Sequence, residues 1–230
     1  MHPFIIKRAI RCCAVKIQTN YIDDVYHKIH FELKGARATL EQYGIPMREI
    51  VNLCGGIPSS GITNIRVTIT ATYASALCAQ VITDQYEVSR NMDFDIWRLD
   101  NNYMYVIDKG QGIGTNLFLN QLQTARKYPF KKLNTIATAP DDELAWDGYY
   151  FWANLGFENK DINDYREWAK AMGRKEPTLS ELVQTEEGRS LWKRTGFTWI
   201  GAFYLATNHP CMDYLRRHLQ RKGIDDALEE

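Results

Sequence analysis

Three glycines at alternate positions, Gly110, Gly112 and Gly114, stand between a β-rich stretch and an amphipathic one, and no other feature limits the fold so tightly. Glycine accepts backbone conformations closed to other residues and lets the chain pass close to a neighbour. Just after the turn, Ile113, Leu117, Phe118, Leu122 and Ala125 recur at helical spacing, and Pro129 stops the pattern. The first N–H groups of such a helix have no internal partner, and its dipole places about half a positive charge there. The run Lys109-Gly110-Gln111-Gly112-Ile113-Gly114-Thr115 is therefore suited to phosphate oxygens. Two nucleotide motifs fit poorly. A Rossmann turn needs Gly-x-Gly-x-x-Gly, yet Thr115 and Leu117 stand where the third glycine would fall, and no Gly-Lys-Ser/Thr supplies a P-loop. The triplet alone also fits a turn that merely ends a strand and starts a helix.

The flanks supply the rest of the architecture. Ile65 to Thr70 alternates strictly, Leu77 to Thr83 and Tyr86 to Arg90 are β-rich, and Asp84-Gln85 reads as a turn. Phe94 to Leu99 and Tyr103 to Ile107 read as two further strands joined by Asp100-Asn101-Asn102. Leu133 to Ala139 reads as a buried strand, so strand, glycine turn, helix and strand make a β-α-β crossover with a parallel pair. Upstream, Asn20 caps a helix with the stripe Ile22, Val25, Ile29 and Leu33, and Ala38 to Tyr43 forms a short helix closed by Gly44. Downstream, Gly148 to Phe157 is aromatic and helical, and Phe197 to Ala206 returns to a strand. Between them, residues 161–196 are polar and helical, with a capping box at Thr178-Leu179-Ser180-Glu181. Met212, Leu215 and Leu219 mark a helix over 210–222. The expected fold is α/β: one domain over 1–230 with a mixed, mostly antiparallel sheet flanked by helices, and a helical insertion, 161–196, before the last strand.

Composition removes several function classes. Lysine plus arginine and aspartate plus glutamate are 28 each, so no whole-chain field favours DNA or an anionic membrane. A cluster at Arg216, Arg217, Arg221 and Lys222 is the one weak argument for nucleic acid, and its plain reading is a solvated helix face. The five cysteines are odd in number and lack a Cys-x-x-Cys pair, which argues for reduced thiols of a cytoplasmic protein and against zinc. His27 and His30 are three apart but have no third ligand nearby, so no metal is expected. No apolar run approaches the roughly 20 residues of a membrane span. The first 22 residues hold Lys7, Arg8, Arg11 and Lys16 and no acid, as a transit segment would. Phe4 to Ile6 and Ala14 to Ile17 read instead as the first strand of a domain.

The run Lys109-Gly110-Gln111-Gly112-Ile113-Gly114 resembles the coenzyme A pyrophosphate turn of the GNAT superfamily of N-acyltransferases, commonly Arg/Gln-x-x-Gly-x-Gly/Ala. Tyr105-Val106-Ile107 resembles that family's central strand, whose backbone pairs with the pantetheine arm. The segment Trp146 to Phe157 is similar to the family's fourth helix, which ends in an aromatic followed by Leu-Gly-Phe. Three departures stand: the link from strand to glycines is about two residues short, lysine replaces the usual arginine or glutamine, and Trp152 fills the place of a tyrosine in the fourth helix.

The resemblance implies acetyl-CoA, or another acyl-CoA, as co-substrate, held by Tyr105, Val106, Ile107, Lys109, Gly110, Gln111, Gly112, Ile113, Gly114 and Thr115. It implies attack of an amine on the thioester, with a backbone N–H for the developing oxyanion. The departing thiolate takes its proton in the family from a tyrosine, at a place filled here by Trp152. Tyr149 and Tyr150 are the candidates instead, Tyr149 favoured by i, i+3 geometry. Asp95, Asp100, Asp108 and Glu87 are the candidate bases. The rival readings are a non-catalytic acyl-CoA-binding module and an effector acylating a macromolecule; the acceptor amine stays open, as does dimerisation through the insertion.

Overall fold

Alternation decides the sheet. The computed structural model describes residues 29–57, 62, 64–139 and 147–224. Strands β2 (Ile65–Ala71), β3 (Ala76–Ile82) and β4 (Tyr86–Asp93) form an antiparallel meander in which Val67, Val81 and Val88 stand side by side on one buried face. Thr83 makes the second turn: its Oγ1 accepts from the N–H groups of Gln85 and Tyr86, as expected for Asp84-Gln85. Adding β1 (Ile29–Lys34), β5 (Arg98–Val106), β6 (Lys132–Ala137), β7 (Glu158–Asn159) and β8 (Trp199–Tyr204) gives an eight-stranded sheet in the order β1-β2-β3-β4-β5-β6-β8-β7. The β1–β2 and β5–β6 pairs are parallel and the others antiparallel.

Two expected elements are overturned. Ile29 and Leu33 belong not to a helix but to β1, where Ile29, Phe31 and Leu33 pair with Ile65, Val67 and Ile69 on the sheet's inner face. Neighbouring β2 offers a complete ladder, which overrides a helical stripe whose remaining members, Ile22 and Val25, lie outside the described residues. Likewise Asp100-Asn101-Asn102 is no turn, because β5 runs through it unbroken. The chain reverses earlier, over Phe94–Trp97, where Trp97 adopts the left-handed region (φ 48°). An aromatic cluster holds that reversal: Trp97 stacks on Tyr128 at 6.1 Å and meets Phe130 and Phe94 edge-on.

The helices gather against the buried face. They are α1 (Arg37–Tyr43), α2 (Met47–Leu53), α3 (Ile113–Ala125), α4 (Gly148–Asn154), α5 (Ile162–Ala171), α6 (Leu179–Leu182), α7 (Glu186–Thr195) and α8 (Pro210–Arg221). Phe118 of α3 packs among Trp152, Phe157 and Phe203. The α2–α3 contact is locked by Asn120, whose amide donates to Gly55 O. Helices α5–α7 fill the segment between β7 and β8, with Thr178 capping α6 by accepting from Glu181 N, as the capping-box pattern implies. Tyr149 O of α4 accepts two indole N–H groups, from Trp192 of α7 and Trp199 of β8. The opposite face of the sheet is more open: Ile136 and Ile200, partners across β6 and β8, are 62% and 52% exposed. Among the described residues no helix is long and apolar enough to cross a membrane.

Candidate functional site

The sheet divides at its middle. Parallel pairing of β5 with β6 extends only over Leu99–Asn101 and Leu133–Thr135, and β5 then continues to Val106 without it. A bulge sits at the fork: Arg90 faces Asn101 and Ser89 faces Tyr103, so Asn102 is the extra residue. Arg90, 1% exposed, fills the opened ladder and donates from Nη1 to Ser89 O (2.9 Å) and Tyr103 O (2.6 Å). Burial lowers its pKa to about 10, so it stays charged at neutral pH. Burial also pushes the nearby Cys54 thiol up to about 12. Gln121 Nε2 donates to Asn101 Oδ1 (2.7 Å) and Leu53 O (2.9 Å), fastening the fork to α3 and the end of α2.

Beyond the fork β5 offers a backbone edge. Ile107 N donates to Gln85 O at 2.9 Å on the β4 side. Strand alternation therefore turns the N–H and C=O of Met104 and Val106 the other way, toward the gap that β6 has left. Tyr105 and Ile107 are about half exposed.

The glycine turn follows at once. Gly110 (φ 86°) and Gly112 (φ 79°) are left-handed, and Gly112 begins α3 without any side-chain cap. As a glycine, the N-cap brings no side chain of its own to the N–H groups of the first turn of α3, at the end of the edge. A Cβ on Gly114 would meet the Phe151 ring at 3.3 Å, so glycine there lets α4 close against the helix start. Lys109 Nζ reaches Asp147 Oδ2 at 3.1 Å, a half-exposed ion pair linking the turn to the start of α4. Such pairs contribute about 0–1 kcal/mol, so the lysine can turn to a stronger anion at little cost.

The tyrosines are placed differently from expectation. Tyr149 is buried and its hydroxyl donates to Lys193 O on α7; burial raises its pKa. It therefore packs α4 on α7 rather than presenting an acid to the gap. Tyr150 is partly buried, with Lys193 Nζ 5.6 Å from its ring centroid. The aromatic against the glycine turn is Phe151, while Trp152 lies in the core. Helical geometry explains this: four consecutive side chains point in four directions, and Tyr149 and Tyr150 take those toward α7.

The acids separate as well. Asp95 accepts from Tyr43 Oη in the Phe94–Trp97 reversal, at the other end of β5. Asp108 is exposed in the turn. Asp100 flanks the fork on the open face, held by Arg98 (2.7 Å) and Asn134 Nδ2 (2.8 Å). Glu87 accepts from Gln80 Nε2 (2.8 Å) and stands opposite Tyr105. His30 is exposed on β1, and His27 lies outside the described residues. In the basic cluster, Arg216 pairs with Asp213 (2.6 Å), Arg217 lies over Tyr214 and Arg221 donates to Gln184.

Sequence reading missed Arg90, Asn101 and Gln121. Arg90 was accessible: it occupies the same parity as Tyr86, Val88 and Met92, and a charge on a buried parity needs an explanation. No family model matches the chain, and no curated protein matches it.

Proposed function

We propose that the chain is an acyl-CoA-dependent N-acyltransferase of the GNAT type. The carrying observation is the continuity of the β5 edge, which has no strand partner beyond Asn101 on the β6 side among the described residues, with the glycine turn that begins α3. On this reading the amides of the pantetheine arm pair with the backbone of Met104 and Val106, as an added strand would. The pyrophosphate takes the N–H groups at Gly112–Thr115, and Lys109 leaves Asp147 to meet it as a point charge. The thioester then lies at the fork beside the bulge, where the irregular ladder supplies a backbone donor for the oxyanion.

The amine must arrive neutral, since an ordinary lysine with pKa about 10.4 is almost wholly protonated at pH 7. Asp100 and Glu87 flank the fork on the open face and are the candidates to take that proton. The amine nitrogen bonds to the acyl carbon, the carbon–sulfur bond breaks, and the thiolate leaves to be protonated. Tyr150 is the remaining tyrosine candidate for that last step.

Titration calorimetry of acetyl-CoA into the protein tests the reading, with Gly112→Trp to fill the turn and Val106→Pro to delete an N–H on the open edge. Binding by wild type, lost or weakened in both variants, supports it; no binding by folded wild type sinks it. A second reading, an acyl-CoA-binding module without turnover, is favoured by Phe151 against the turn and the engaged Tyr149 hydroxyl. Wild type that binds acetyl-CoA yet releases no free thiol with any of a broad panel of amines selects it.

A further inference from the structure

Two strands along the sheet from β5, strand β8 brings together two segments more than fifty positions apart in sequence. Glu158 opens β7 and pairs with Ala202 of β8. The chain leaving β8 turns into α8, whose N-cap is His209 and whose second residue is Cys211. His209 stacks on Tyr204 at 4.4 Å, and its Nδ1 lies 3.8 Å from Glu158 Oε1. One ligand atom from each of Glu158, His209 and Cys211 falls within 4.8 Å of the other two.

We propose that Glu158, His209 and Cys211 bind a zinc-like divalent transition metal. The donor set is a carboxylate oxygen, an imidazole nitrogen and a sulfur, the mixture that suits zinc and its borderline neighbours; calcium and magnesium take oxygen alone. Metal–ligand lengths of about 2.0–2.3 Å place tetrahedral ligands about 3.3–3.8 Å apart. The histidine–glutamate pair, at 3.8 Å, stands a few tenths of an ångström wider than nitrogen and oxygen ligands require. The remaining closure falls to Glu158, whose half-exposed side chain is the flexible member. Cys211 is buried in the first turn of α8, beside that pair. The first turn of α8, where Cys211 sits, favours negative charge on a metal-bound sulfur. A cavity of about 450 Å³, lined by Arg126, Phe130, Lys131, Tyr204, Leu205 and His209, opens beside the imidazole and leaves room for a water as fourth ligand.

Cobalt(II) titration of the reduced, metal-free protein tests this. Wild type should show, at one equivalent, a thiolate-to-cobalt charge-transfer band with tetrahedral visible absorption, both discharged by zinc. Cys211→Ser should abolish the charge-transfer band, and Glu158→Gln should weaken zinc about tenfold or more while circular dichroism confirms the fold. A Cys78→Ser control should bind as wild type does. No band with folded wild type, or a band that survives Cys211→Ser, overturns the proposal.

Discussion

His218 offers the sharpest quantitative check on the packing of α8 against the rest of the chain. It is 8% exposed, its Nε2 has no partner among the described residues, and Arg221, Lys222 and Arg189 surround it. Burial first, and then those cations, lowers its folded pKa to about 4. The unfolded value is about 6.5. A depressed folded pKa means that the unfolded chain binds the extra proton first, so stability falls as pH drops from about 6.5 toward 4 and is intact above. The loss attributable to this residue is about 2 kcal/mol at pH 5, approaching about 3 kcal/mol below pH 4. His218→Leu fills the site without a titrating group. Urea unfolding of both proteins at pH 7.5 and pH 5 should show wild type losing about 2 kcal/mol more than the variant over that interval. In thermal melts of a chain of 230 residues the same difference is about 4–8 °C. Half-molar salt should leave most of the difference, because desolvation outweighs the screenable cations. Equal losses in the two proteins would mean that His218 is hydrated in the folded state and that α8 does not seal the site.

Other expectations are simpler to read. Trp97→Ala should be less stable than Trp97→Gly by about 1 kcal/mol, since alanine keeps the cost of the left-handed backbone and both lose the same ring contacts; chemical denaturation decides it. Thr178→Ala removes the N-cap of α6 and should cost about 1 kcal/mol in the same assay. Tyr149→Phe should cost about 1 kcal/mol of stability and leave turnover nearly unchanged, whereas Tyr150→Phe should lower turnover if it is the acid; rates and melts separate the two. Val106→Pro should leave the far-ultraviolet spectrum intact, because its N–H points away from β4; collapse of the sheet would refute the edge assignment.

The strands with strict alternation and the helix after the glycines were legible because each is specified locally. The fork was not. Asn101 looks like a turn residue, and only its bond from Gln121, twenty positions on, makes it a buried strand residue. The short β5–β6 ladder is a tertiary fact without a local signature, although the crossover itself was predictable from element order. Tyr149, Tyr150, Phe151 and Trp152 illustrate a different limit. Helical period fixes their relative directions, but only the placement of α7 determines that Tyr149 turns toward Lys193. The Glu158, His209 and Cys211 cluster escaped a search by spacing because its members meet through β8.

The carbonyl of Tyr149 receives indole protons from both Trp192 and Trp199. Those rings sit on α7 and β8, which makes them an intrinsic optical gauge of α4. While the helix stays seated, both chromophores are dry and hydrogen-bonded to the same oxygen. Any ligand that lifts α4 from the glycine turn must loosen both bonds at once, shifting the emission red without an added label.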